Sequence, residues 1–271
     1  MSQAMKSQAM KTQGQTRTIA VANEKGGVGK TATVINLGAA LSQAGHSVLL
    51  VDMDPQANTT RGMGLSLEEA APSVYDLISG NGAPAASEVV LATAWDRLEV
   101  LPSHVDLSGA EVELVDEAGR ERKLSEALEP LLGSYDFILL DTPPSLSLLT
   151  VNVFTFAKEV LVPCQTHPYA FGALTELFDT IEAVQEEINP DLTIMGIVPT
   201  LFDGRTRVSR DILQRLKEEP RYHSLVFDAV IRLNTTIAAS ADVGKPVVFY
   251  RRGSYGAKDY LQLAEELLAR G

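Results

Sequence analysis

The run Thr18-Ile19-Ala20-Val21-Ala22-Asn23-Glu24-Lys25-Gly26-Gly27-Val28-Gly29-Lys30-Thr31 passes from a short apolar stretch, through three glycines in four residues, to Lys-Thr at the head of a helical pattern. Strand, glycine turn and helix in that order are the sequence form of a phosphate-binding loop. Glycines at 26, 27 and 29 let backbone N–H groups converge on an anion with no Cβ in the way. The start of the following helix adds partial positive charge at the same point. Lys30 has the reach to meet β- and γ-phosphates, and the Thr31 hydroxyl suits magnesium. The candidate cradle is therefore Gly26, Gly27, Val28, Gly29, Lys30, Thr31 and Ala32.

Outward from this loop, β-rich runs alternate with longer helical stretches. Strands are expected at Thr18–Ala22, Ser47–Val51, Leu98–Leu101, Phe137–Leu140, Glu159–Pro163, Leu192–Val198 and Val226–Ile231. Helical periodicity fills Lys30–Gln43, Leu146–Phe156, Phe171–Ile188, Arg207–Lys217 and Ala257–Ala269. Near-continuous apolar strands between helices predict an α/β fold of the P-loop NTPase kind. Its sheet is mostly parallel and twisted, with helices on both faces and the ligand at the carboxyl ends of the strands.

Two of those ends are acidic. After the second strand comes Asp52-Met53-Asp54-Pro55-Gln56-Ala57-Asn58, whose two carboxylates at period 2 point the same way. A carboxylate pair on a buried strand is costly, which favours a magnesium or water-positioning role. Phe137-Ile138-Leu139-Leu140-Asp141 has the form of a Walker B strand, whose carboxylate holds magnesium directly or through water.

The chain has 271 residues, 45% of them hydrophobic, enough for one domain over 17–271 behind a polar tail at 1–16. That tail repeats Ser-Gln-Ala-Met-Lys at Ser2–Lys6 and Ser7–Lys11, either as a disordered lead or as a short contact arm. Gly80–Ala86 is expected to be a surface loop. Cys164 is the only cysteine, which excludes a disulfide within the chain and any cysteine-held cluster. No apolar run approaches the roughly 18 residues of a membrane span, so a cytoplasmic location is expected. Net charge is -12, yet residues 201–260 hold 11 Lys/Arg against 7 Asp/Glu. An acidic protein with one basic face still binds through its local field.

The phosphate loop departs from G-x-x-x-x-G-K-[ST]: Glu24 stands where the first glycine belongs, and a second lysine, Lys25, follows it. In this it resembles the deviant Walker A box of the ParA/MinD class. Asp52 to Asn58 is similar to that class's switch segment, D-x-D-P-Q-[AG]-N. Further matches run along nearly the whole chain, at Leu101-Pro102-Ser103, Pro163-Cys164-Gln165 and Asp203-Gly204-Arg205-Thr206.

The resemblance implies an ATP/ADP and Mg2+ cofactor set, and a homodimer when ATP is bound. Lys25 would reach the partner's nucleotide, Asp54 would orient the attacking water and Asp52 would support the magnesium shell. Thr200 and Asp203 would border the base. The small ParA branch, which partitions chromosomes or plasmids, binds non-specific double-stranded DNA as ATP dimers and is reset by a ParB-like activator. That implies a nucleoid-associated protein, with Arg205, Arg207, Arg210, Arg215, Arg232, Lys245, Arg251 and Arg252 as candidate DNA contacts. The sixteen residues ahead of the domain are too few for the helix-turn-helix of the longer branch.

Departures bear on the DNA surface. An arginine of the family pattern falls at Thr236 and a glutamate at Ala239, while the second threonine after the loop lysine is Ala32. Two other readings stay open: a positioning ATPase for a protein cargo, and a MinD-like membrane-cycling ATPase. The second needs a basic amphipathic terminal helix, whereas Asp259–Arg270 carries three acids and one base.

Overall fold

The computed structural model describes residues 15–68, 71–79 and 82–270. The Ser-Gln-Ala-Met-Lys repeat, and the first two residues of the expected Gly80–Ala86 loop, lie outside the described residues. The strands are β1 (Arg17–Val21), β2 (Val48–Asp52), β3 (Leu91–Ala92), β4 (Leu98–Leu101), β5 (Phe137–Asp141), β6 (Glu159–Gln165) and β7 (Thr193–Thr200). The helices are α1 (Lys30–Gln43), α2 (Asn58–Gly62), α3 (Val74–Ile78), α4 (Ala86–Val89), α5 (Leu107–Glu113) and α6 (Lys123–Leu128). They continue with α7 (Leu148–Phe156), α8 (Ala170–Glu187), α9 (Arg207–Glu218), α10 (Thr235–Asp242), α11 (Val247–Tyr250) and α12 (Tyr255–Ala269).

The strands join in one sheet in the order β3-β4-β2-β5-β1-β6-β7. All pairs are parallel except β3 with β4. Each central strand alternates its side chains between two cores, as a pleat requires. Val48 and Leu50 of β2 and Phe137 and Leu139 of β5 join the core under α1 and α12. Leu49, Val51, Ile138 and Leu140 join the core under α7 and α8. Burial on both faces explains why these strands read as unbroken apolar runs. At Gly38 of α1 an added Cβ would lie 2.5 Å from Leu50 Cδ2, so a larger residue here would push the buried Leu50 side chain aside.

Two expectations are corrected. Thr16 does not belong to a tail: it is buried, its hydroxyl donates to Tyr135 O (2.7 Å) and accepts from Gly133 N (2.7 Å). Val226–Ile231 is not a strand. It runs beside β7, with Ile197 N donating to Leu225 O and Phe227 N to Ile197 O. The next rung needs an N–H from residue 199, and that residue is Pro199, which has none. The ladder breaks there, and Ile231 N rejoins Pro199 O two residues out of register.

Candidate functional site

The loop after β1 wraps around its own lysine. Gly27 and Gly29 have φ of +75° and +95°, a region in which a side chain is strained, and Gly29 caps α1. Asn23 anchors the loop at both ends: its Nδ2 donates to Pro163 O (2.8 Å) and its Oδ1 accepts from Lys25 N (2.9 Å). Thr200 Oγ1 donates to Val28 O (2.7 Å), tying the end of β7 to the loop. The Lys30 ammonium is buried and donates to Asn23 O at 2.8 Å and to Lys25 O at 3.4 Å. Burial lowers its pKa, and the nearby Asp141 and Asp54 carboxylates work against that shift. Lys25 points elsewhere, its Nζ donating to Gln165 Oε1 (3.3 Å) at the rim.

Asp52 and Asp141 close β2 and β5 in register, both fully buried. Burial raises the pKa of each, and their mutual repulsion adds to the shift at Asp141. Two threonines on α2, which the sequence reading passed over, hold these groups. Thr59 Oγ1 donates to Asp141 Oδ2 (2.8 Å). Thr60 N and Oγ1 donate to Asp52 Oδ2 (2.8 and 2.7 Å). Their signal was available, since two hydroxyl residues directly follow Asn58. The turn into α2 places Ala57 at φ +50°, a strained position for any residue with a Cβ. Asp54 is also buried, and its Oδ1 accepts from Gln56 N (2.9 Å).

These residues fit a magnesium ion. Asp141 Oδ1 is buried without a hydrogen-bond partner. The Thr31 hydroxyl is close enough to ease the charge on Asp141 without closing a hydrogen bond of ordinary geometry. An orphaned anionic oxygen beside a hydroxyl and a phosphate cradle is the donor set of a hard divalent cation.

A cavity of about 350 Å3 adjoins the loop between Gly29, Ala32, Thr200, Ile231, Leu233 and Ile237. Its apolar walls suit a planar base. Thr200 borders it with its hydroxyl already used, and Asp203 is not among its walls. The Asp203 carboxylate is instead held down to about 2 by hydrogen bonds from Arg205. A larger cavity, about 670 Å3, lies at the amino ends of β1 and β6 near Thr18, Thr155 and Lys158, the wrong end for the chemistry of such a sheet.

The candidate DNA cations divide by what already holds them. Arg205 pairs with Asp203, Arg207 with Asp211, and Arg210 donates to Gly204 O. Arg215 lies over the Phe171 ring at 4.6 Å. Arg232 is committed to the buried Asp259 and stacks on Tyr255 at 4.2 Å, which removes it as a free phosphate ligand. Lys245, Arg251 and Arg252 are exposed and without side-chain partners among the described residues.

Comparison with known proteins agrees with this geometry. The family model described as AAA domain matches residues 16–194. The sporulation initiation inhibitor protein Soj of Bacillus subtilis is 40% identical over 94% of this chain and 99% of its own length. The chromosome partitioning protein ParA of Caulobacter vibrioides is 41% identical, over 94% of both chains. A solved structure titled cobyrinic acid a,c-diamide synthase, from Mycobacterium smegmatis with bound ATP analog and magnesium, superposes with a TM-score of 0.80. It is 38% identical, over 93% of this chain and 94% of its own. With its phosphate loop, paired strand-end carboxylates and full-length likeness to Soj and ParA, this chain belongs to the ParA/MinD family of P-loop ATPases.

Proposed function

We propose that this protein is an ATP-driven DNA partition switch. ATP with Mg2+ loads on Gly26–Thr31, held by Lys30, Thr31 and Asp141. Two copies then close face to face, each lending Lys25 to the other's triphosphate, and the dimer binds duplex DNA through the free cations Lys245, Arg251 and Arg252. A ParB-like partner stimulates attack by water oriented at Asp54, and the dimer parts. The bound magnesium neutralises phosphate charge; the protein supplies position and the second lysine.

The observation that carries this reading is the divergence of the two loop lysines. Lys30 is folded into the cradle while Lys25 stays at its rim on Gln165, free to act on a second nucleotide. The chromosome partitioning named for ParA supports the cargo. A membrane-cycling role is disfavoured, because Tyr260, Leu263 and Leu267 turn the apolar face of α12 into the core. Among the described residues no helix is long and apolar enough to cross a membrane. A synthase that draws on a cysteine nucleophile is disfavoured too: Cys164 is buried, and burial pushes its thiol up to about 12.

The test is binding of an arbitrary-sequence duplex with ATP, with ADP and with no nucleotide across a salt series. Binding should require ATP and weaken with a log–log slope of about -0.9 for each phosphate neutralised. An ATP-dependent dimer that ignores DNA would move the reading to a protein cargo.

A further inference from the structure

We propose that the cleft between α2 and α10 is a phosphodiester-binding cleft, in which Arg61 and Lys245 grip the backbone of duplex DNA. This rests on the DNA-binding reading above and adds to it a ligand carried by the nucleotide switch itself.

The cleft has a volume of about 500 Å3. Its floor is the first turns of α1, including Thr31 and Asn36, and its walls carry Arg61 on one side and Asp242 and Lys245 on the other. Arg61 is exposed and uses only Nη2, which donates to Gln56 O (2.6 Å) and Asn58 Oδ1 (2.9 Å). The Nε–H and the two Nη1–H donors remain for phosphate oxygens, alongside the guanidinium's positive charge. The exposed Lys245 ammonium has no partner among the described residues.

The two walls are joined by backbone. Gly64, just past α2, and Gly244, just before Lys245, touch so closely that a Cβ on Gly244 would lie 2.5 Å from Gly64 Cα. Both have positive φ, +72° and +63°, so neither position welcomes a side chain. From below, Asn36 Oδ1 accepts from Val247 N at 2.6 Å. The placement of Lys245 relative to α2 is therefore built in.

Arg61 shares its short helix with Thr59 and Thr60, which hold Asp141 and Asp52. Whatever those carboxylates bind fixes α2, and α2 fixes Arg61. DNA affinity then reads the nucleotide through one turn of helix. Asp242 in the same cleft repels phosphate and keeps binding weak until both cations are set.

The experiment measures fluorescence anisotropy of a labelled duplex with a non-hydrolysable ATP analogue and Mg2+ over a salt series. Arg61→Gln and Lys245→Gln should each make the slope shallower by about 0.9. Arg61→Lys should keep the slope, and Asp242→Asn should tighten binding. Affinity for a fluorescent ATP analogue, measured in parallel, shows whether the loop is intact in each variant. Wild-type slopes in Arg61→Gln and Lys245→Gln, with a shallower slope in Arg251→Gln or Arg252→Gln, would overturn the cleft and leave the DNA-binding reading standing. A wild-type protein that binds no DNA would overturn both.

Discussion

Asp52 and Asp141 face one another in register at the carboxyl ends of adjacent parallel strands, each fully buried and each held by a threonine of the same short helix. Without a cation the pair repels. With one, the same arrangement becomes a ready ligand cage. The cost of holding two carboxylates together and their affinity for a cation have the same origin.

That cost has a pH signature. The folded pKa of Asp141 is raised to about 7, against an ordinary 3.8. Between about pH 4 and about pH 7 the folded protein thus binds more protons than the unfolded chain, and stability falls as pH rises through that window. Asp141→Asn should flatten this part of the profile. It should also raise nucleotide-free stability at pH 8 by more than about 1 kcal/mol, the scale of one pKa unit. Urea midpoints across pH measure both, and parallel profiles for the two proteins would contradict the account.

Loop and switch substitutions should separate binding from hydrolysis. Lys30→Ala removes the buried ammonium that meets Asn23 O and Lys25 O, and nucleotide binding should be lost. Asp54→Ala should keep nucleotide affinity and lose hydrolysis. Fluorescent-nucleotide titration with phosphate release distinguishes them; normal turnover in Asp54→Ala would remove that carboxylate from the chemistry.

Thr59→Val keeps the shape of a fully buried side chain and removes the donor to Asp141. Groups that orient a metal ligand are worth about 10–100-fold in affinity. The Mg2+ concentration needed for half-maximal tightening of ATP-analogue binding should rise by that order in Thr59→Val and recover in Thr59→Ser. An unchanged requirement would make Thr59 a packing residue only.

Much of this site was legible because its chemistry is local. The phosphate loop, Asp52, Asp54 and Asp141 each sit in a run whose spacing states its purpose. What was missed depends on distance in sequence. Arg232 reads as a free cation until the fold brings Asp259, 27 residues on, beneath it. The alternation at Val226–Ile231 reads as a strand, and its buried residues do face the core, but Pro199 on the neighbouring strand denies it a ladder. Arg61 carried no signal until α10 was seen across the cleft.

Arg232 also separates structure from function. Its side chain is 42% exposed, but Asp259 is only 3% exposed and would lose its counter-charge, keeping the N–H of residue 232. Arg232→Gln should cost about 1–3 kcal/mol, less than a wholly buried pair because solvent screens one side. Its DNA salt slope should match wild type. Undiminished stability with a shallower slope would return Arg232 to the DNA surface.

The account stands most directly on the mass of the protein with a non-hydrolysable ATP analogue and Mg2+, measured by sedimentation or light scattering. Wild type should double its mass on saturation, and Lys25→Ala should bind the nucleotide yet stay a monomer. A wild-type protein that remains a monomer when saturated would contradict it.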